Sequence, residues 1–155
     1  MPSIPPSVAA FLEGRRLAVA GVSRSGKTPA NAIYQRLRDC GHDVFAVNPN
    51  ATAIAGEPCY PDVRSVPGPV HGLMVVTHPD AAAAVVRDAL DAGVTHIWFH
   101  RSFGTGSVSD EAVEVCRRAG VEPIVGGCPM MYCGSVDPVH RAFRWMLRLR
   151  RRVPG

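Results

Sequence analysis

The chain has 155 residues, 17 of them basic and 13 acidic, and 46% are hydrophobic, which bounds it to one domain long enough to bury a sizeable core. No apolar run reaches membrane-spanning length, and the opening MPSIPPSVAAFLEGRR lacks the positive start and long apolar stretch of a secretory signal. The formal charge of +4 comes from the tail, where Arg141, Arg144, Arg148, Arg150, Arg151 and Arg152 leave eleven basic against 13 acidic residues for the body, so a basic nucleic-acid face on the fold itself is not indicated.

In chain order, Val8, Phe11 and Leu12 suggest a short N-terminal helix. Leu17 to Gly21 is an apolar run ending in glycine and reads as a buried first strand. Pro29 to Cys40 sets Ala32, Ile33, Leu37 and Cys40 on one helical face. Thr28 before Pro29 is an N-cap residue followed by a first-turn proline, and Gly41 closes the helix. Asp43 to Val47 is the second strand. Asn48 to Pro69 is too broken by Pro and Gly for a crossover helix, and predicts only a short strand or turn near Cys59-Tyr60 and one helical turn near Asp62 to Val66.

Gly72 to Thr77 gives a third strand. Pro79 to Ala92 then sets Ala82, Val85, Val86 and Ala89 on one helical face, with Gly93 behind it. His96 to His100 is the fourth strand, Asp110 to Ala119 a helix capped by Ser109 and closed by Gly120, and Val121 to Val125 the fifth strand. Asp137 to Arg151 reads as an amphipathic helix, with Val139, Phe143, Met146 and Leu147 opposite the arginines. Apolar strands alternating with helices imply a parallel sheet covered on both faces. The expectation is therefore an α/β fold, a doubly wound parallel five-stranded sheet in a single domain over residues 1–136, followed by a basic helix and tail over 137–155.

Gly21 to Thr28, GVSRSGKT, fits G-x-x-x-x-G-K-[ST] letter for letter. A P-loop, however, starts its helix near the second glycine and lysine, whereas Pro29 delays the helix here and drives Thr28 out of the α region. The expected Mg²⁺-binding aspartate at the end of another strand is also missing, since the candidates end in Val76-Thr77-His78, Val47-Asn48-Pro49 and Phe99-His100-Arg101. Val22 to Thr28 is instead read as a loop, with Lys27, the one lysine among 16 arginines, just ahead of a helix N-terminus.

In such sheets ligands bind outside the carboxyl ends of the strands, beside the first one. This gathers the Gly21 loop, Asn48, Thr77, His100 and Gly126 to Cys128 around one crevice. Helix N–H groups together with Ser23, Arg24, Ser25 and Lys27 suit a phosphate. The loop lacks the full G-x-G-x-x-G fingerprint, and the second strand ends in Val47-Asn48-Pro49-Asn50 without the acid that an NAD ribose wants. A nucleotide phosphorylated on its ribose fits better.

The series AVAGVSRSGKTPANAIYQRLRDCGHDVFAVNPN, GEPCYPDV, VPGPVHGLMVVTHPDAAAAVVRDALDAGVTHIWF and GVEPIVGGCP, over about residues 11 to 130, resembles the CoA-binding domain family, similar to the N-terminal domain of the succinyl-CoA synthetase α subunit. The resemblance implies a Rossmann-like sheet of strand order 3-2-1-4-5 that holds coenzyme A. Gly21, Val22, Ser23, Arg24 and Lys27 would then lie near the phosphates, Asn48 and Pro49 near the adenosine, and Thr77 and His78 beside them. An extended pantetheine arm would end near Cys128. Asn50 stands where relatives often carry lysine, and the ending CPMMYCGSVDPVHRAFRWMLRLR departs from the shorter ending of many members. The phosphohistidine loop and second domain of the synthetase are absent, and with them the basis for ligase activity.

The function expected from these residues is non-catalytic binding of CoA or an acyl-CoA. The alternatives are an NAD(P)-dependent oxidoreductase and a CoA-using enzyme subunit. No catalytic residues are assigned, because His78, His96 and His100 lack a partner carboxylate or nucleophile. No metal site is assigned either, since Cys128, Cys133 and His140 do not form a zinc pattern. Trp98 and Met130-Met131 read as packing. The odd, scattered cysteines Cys40, Cys59, Cys116, Cys128 and Cys133 argue against a disulfide framework and fit a cytoplasmic setting. A homodimer or a further protein partner stays open, and docking of the arginine tail as an amphipathic helix is favoured over membrane or nucleic-acid contact.

Overall fold

The computed structural model describes residues 4–101 and 106–133; the expected C-terminal helix lies outside them. The elements are α1 (Pro6–Glu13), β1 (Arg16–Ala20), α2 (Pro29–Asp39), β2 (Asp43–Val47), β3 (Ala53–Ile54), β4 (Glu57–Tyr60), β5 (Gly72–Val75), α3 (Pro79–Asp91), β6 (His96–Phe99), α4 (Asp110–Arg118), β7 (Ile124–Val125) and a 3₁₀ turn at Pro129–Met131. The predicted helix boundaries follow their caps. Thr28 and Ser109 each accept a backbone N–H of the third helical residue, from Asn31 and Ala112. Gly41, Gly93 and Gly120 adopt φ of +94°, +88° and +78° just beyond the helix ends, the left-handed turn that glycine takes without strain.

Seven strands form one sheet in the order β3-β4-β2-β1-β5-β6-β7, two more than the five expected. All pairs are parallel except β3 with β4. The five expected strands are β1, β2, β5, β6 and β7. Their order corrects the expected 3-2-1-4-5, because β5 lies against β1 on the side away from β2. The outer place beside β2 is filled by β4, from the Pro/Gly-rich connection. Pro58 there has no N–H to donate, but it sits opposite Ala53 of the two-residue strand β3, and the parallel pairing to β2 starts only at Cys59.

The sheet is covered on both faces. On one side Val8 and Phe11 of α1, Ile33 and Leu37 of α2 and Met131 pack over Leu17, Val19 and Trp98. On the other, Ala82 and Val86 of α3 and Ala112 and Cys116 of α4 pack over Ala18, Leu73, Ile97 and Phe99. Trp98 is fully buried. Its Nε1 donates to the Gly126 carbonyl at 2.8 Å, and Phe11 meets its ring edge to face at 5.3 Å between centroids. The residue therefore packs, as its setting in an apolar run implies. Beside it, the chain after β7 descends to the C-terminal end of α2, where Cys40 and Cys133 form a disulfide with Cα atoms 6.4 Å apart. That pairing differs from the expectation of free cysteines: 93 residues separate the two in sequence, so their spacing carried no sign of it.

At the amino edge of the sheet the His71 and His96 rings stack at 4.2 Å, and His71 Nε2 lies 2.9 Å from the Ala10 carbonyl of α1. Burial, and then the neighbouring His71, hold the His96 imidazole below its ordinary value of 6.5; burial does the same to His100.

Two outcomes follow from this packing. Trp98→Ala removes the largest core side chain and leaves the Gly126 carbonyl unpaired, so urea unfolding should report a loss of about 3–5 kcal/mol. Because the unfolded chain takes up protons at His96 and His100 near pH 6.5 while the fold resists them, their contribution is fully present above that pH and is lost as pH falls through the folded values. Urea midpoints should be lower at pH 5.5 than at pH 7.5, with a smaller difference in His96→Asn.

Candidate functional site

The chain leaves β1 at Gly21, with φ of +103°. Its N–H donates to Val47 O at 3.1 Å, and a Cβ here would stand 2.3 Å from the Val76 carbonyl, so only glycine fits between β2 and β5. Val22 is fully buried. Arg24, Ser25, Gly26 and Lys27 are exposed. The helix begins at Pro29 with Thr28 as its cap, as the sequence reading expects.

Below this loop, at the carboxyl edge where strand order reverses, lies a crevice of about 490 Å³. Of the predicted site residues, Gly21, Asn48, Pro49, Thr77 and His78 line it; Val22, Ser23, Arg24 and Lys27 follow Gly21 in the loop and do not. Asn48 knits the wall together. Its Nδ2 donates to Val22 O at 2.8 Å and its Oδ1 accepts from Asn50 N at 2.8 Å, while its N–H donates to Tyr60 O at 2.9 Å. Thr77 Oγ1 is buried without a hydrogen-bond partner, which suits a bound polar group. His78 caps α3 and accepts from the Asp80 N–H at 3.3 Å, a structural use that its place at a strand end anticipates.

Cys128 stands apart from the crevice. It is buried in the core cluster with Trp98, and burial pushes its thiol up to about 11. The strand before it, β7, is third from β1 rather than second, about 14 Å away at ~4.8 Å per strand. The remaining expected histidine, His100, follows β6 and does not line the crevice.

Sequence reasoning missed Asp62 and Asp88. Both line the crevice, Asp62 just beyond the uncounted strand β4. Asp88 accepts from the Val63 N–H at 2.7 Å and pairs with Arg64. Bonds from the Ser65 hydroxyl and N–H hold Asp62 below the usual carboxylate range. The end of β2 lacks an acid, as the sequence indicates, while Asp62 and Asp88 bring carboxylates to the crevice from after β4 and from α3. Asn31 was missed as well; the capping-box spacing from Thr28 was its signal. No group of three or more potential metal-ligating side chains gathers among the described residues, and no helix among them is long and apolar enough to cross a membrane.

Residues 15–134 match the family described as the CoA binding domain. The chain belongs to that family. This CoA-binding domain is 31% identical over 118 residues to the acetate–CoA ligase (ADP-forming) I of Archaeoglobus fulgidus, a match that covers 72% of the chain but 17% of the ligase. Among solved structures, a conserved hypothetical protein from Pyrococcus furiosus is similar at 33% identity with a TM-score of 0.65, covering 74% of this chain and 95% of that one. A hypothetical protein from Pyrococcus horikoshii OT3 shares the fold, with a TM-score of 0.72 at 23% identity over 83% of this chain and 92% of that one.

The loop geometry sets an outcome for the opening motif. Thr28→Ala should cost about 1 kcal/mol through the lost cap, measured by denaturant unfolding. Incubation with Mg²⁺ and ATP should release no phosphate from parent or variant.

Proposed function

We propose that this CoA-binding domain holds coenzyme A, or an acyl-CoA, at the carboxyl edge of a Rossmann-like sheet without catalysing a reaction on it. The observation that carries the reading is the division of charge at the site. Among the described residues the crevice lining contains Asp62 and Asp88 and no lysine or arginine, whereas the loop that continues from Gly21 exposes Arg24 and Lys27. A ligand with a neutral, hydrogen-bonding base and a phosphate-rich remainder matches that division; one that seats phosphates in the crevice opposes it.

In this reading the adenine occupies the crevice beside Asn48, Pro49, Thr77 and His78, with the phosphorylated ribose turned towards the loop. The phosphates lie over Gly21, Val22 and Ser23, where Arg24 and Lys27 supply charge. Thr77 Oγ1 supports it as a buried hydroxyl left for a ligand. Cys128 stays outside the proposal, since a buried thiol held near 11 is protonated at neutral pH and exchanges poorly with disulfides. The protein is taken to be cytoplasmic, a setting whose thiol pool would open the Cys40–Cys133 disulfide.

Asp62 favours a second reading, a nicotinamide dinucleotide whose ribose hydroxyls donate to that carboxylate. Calorimetry with CoA and NAD separates the two. The parent should bind CoA more tightly than NAD, and Lys27→Ala should weaken CoA about ten- to a hundredfold, the effect of losing one charged hydrogen bond of about 1.5–3 kcal/mol. Tighter NAD binding, or unchanged CoA affinity in the variant, overturns the CoA reading.

A further inference from the structure

Asn31 is the third residue of α2, counted from the cap. At this position a side chain commonly reaches back to the N–H of the capping residue. Here it reaches further, to Ser23 at the far end of the loop. Asn31 Oδ1 accepts from the Ser23 N–H at 2.9 Å, and Nδ2 donates to the Ser23 carbonyl at 2.7 Å. The Thr28 hydroxyl also donates to Oδ1, at 2.5 Å. One primary amide thus satisfies both backbone groups of one residue. A carboxylate would set oxygen against the Ser23 carbonyl, and a hydroxyl is too short to span both.

The residue before Ser23 is held in the same manner from another element, Asn48 Nδ2 donating to Val22 O at 2.8 Å. Past Ser23 the side-chain support stops. Arg24 to Lys27 are exposed, their contacts back to the loop being Ser25 to the Ser23 hydroxyl and the Gly26 N–H to the Ser23 carbonyl. Ser23 is therefore the fixed point from which the charged arch springs, and Asn31 fixes it.

We propose that Asn31 is a positioning residue for phosphate recognition: by clamping Ser23 it holds the arch of Arg24 and Lys27 over the crevice. The proposal rests on the reading that this site binds CoA. The amide acts on the loop and not on the ligand: its oxygen accepts from Ser23 and Thr28 and one of its N–H groups donates to Ser23. The Ser23 N–H is likewise spent inside the loop and is not a phosphate donor, unlike the backbone of a P-loop.

The test compares parent, Asn31→Ala and Asn31→Ser, two neutral variants that leave the Asn31 backbone N–H on Thr28 Oγ1; the second keeps the helix start polar should the first fold poorly. CoA is titrated by calorimetry, adenosine by NMR chemical shifts, and amide exchange is followed at Ser23 and along α2. The expected result is about tenfold weaker CoA binding, since the loop must then be ordered as the ligand arrives, with unchanged adenosine shifts and faster exchange at Ser23 while the α2 amides keep their protection. A variant that binds CoA like the parent although Ser23 exchanges freely overturns the role of Asn31 and leaves the CoA reading standing. Parallel loss of adenosine and CoA also overturns it, as damage to the whole site. A parent that does not bind CoA overturns the CoA reading and the proposal together.

Discussion

The site depends on one backbone constraint, the exit of the chain from β1 beneath the Val76 carbonyl. Strands on either side of β1 close over its end, and the gap between β2 and β5 admits a chain only where no Cβ is present, which makes Gly21 obligatory. Once the chain turns there, Val22 is driven into the core and Ser23 emerges beside the start of α2. Asn48 and Asn31 can then hold these two residues from opposite sides. The crevice is the space this turn leaves between the strand ends and α3.

Electrostatics follow from the same geometry. The walls come from strand ends and from α3, whose side chains facing the opening are small or apolar, such as Ala81, Ala84 and Val85. The carboxylates among them are already engaged: Asp88 bridges to Val63 and Arg64, and Asp62 closes its own turn onto Ser65. Arg24 and Lys27 sit on the loop, where exposure avoids the desolvation that a buried cation would suffer. The crevice and the loop that continues from Gly21 thus differ in charge.

Much of this was legible in the sequence because its signals are local. Thr28-Pro29, Ser109 and the glycines at 41, 93 and 120 mark helix ends by backbone chemistry that works wherever the helix lies. The apolar runs found β1, β2, β5 and β6 to within a residue or two, and part of the fifth run became β7. Strand order was not legible, because it depends on which run claims each side of β1. The four-residue β4 was read only as a short strand or turn near Cys59-Tyr60 and not counted into the sheet, because Pro58 demotes the run; facing the short edge strand β3, that proline costs no hydrogen bond to β2. Leaving β4 out of the sheet left Asp62, two residues beyond it, out of the site. The loop clamp escaped for a related reason, since nothing in the order of residues says whether the amide of Asn31 serves its own helix or the chain eight positions earlier.

The join between Cys40 and Cys133 also has a topological meaning. It encloses every strand after β1 in a covalent ring, and leaves α1, β1 and all of α2 as a thread whose strand β1 runs through the middle of the sheet. A peptide bond cut in any turn of the ring, the β3–β4 hairpin included, yields two fragments still tied end to end through sulfur. Such a nicked molecule would migrate as one species until reductant is added, whereas a cut between α1 and β1 would free its fragment with or without reductant.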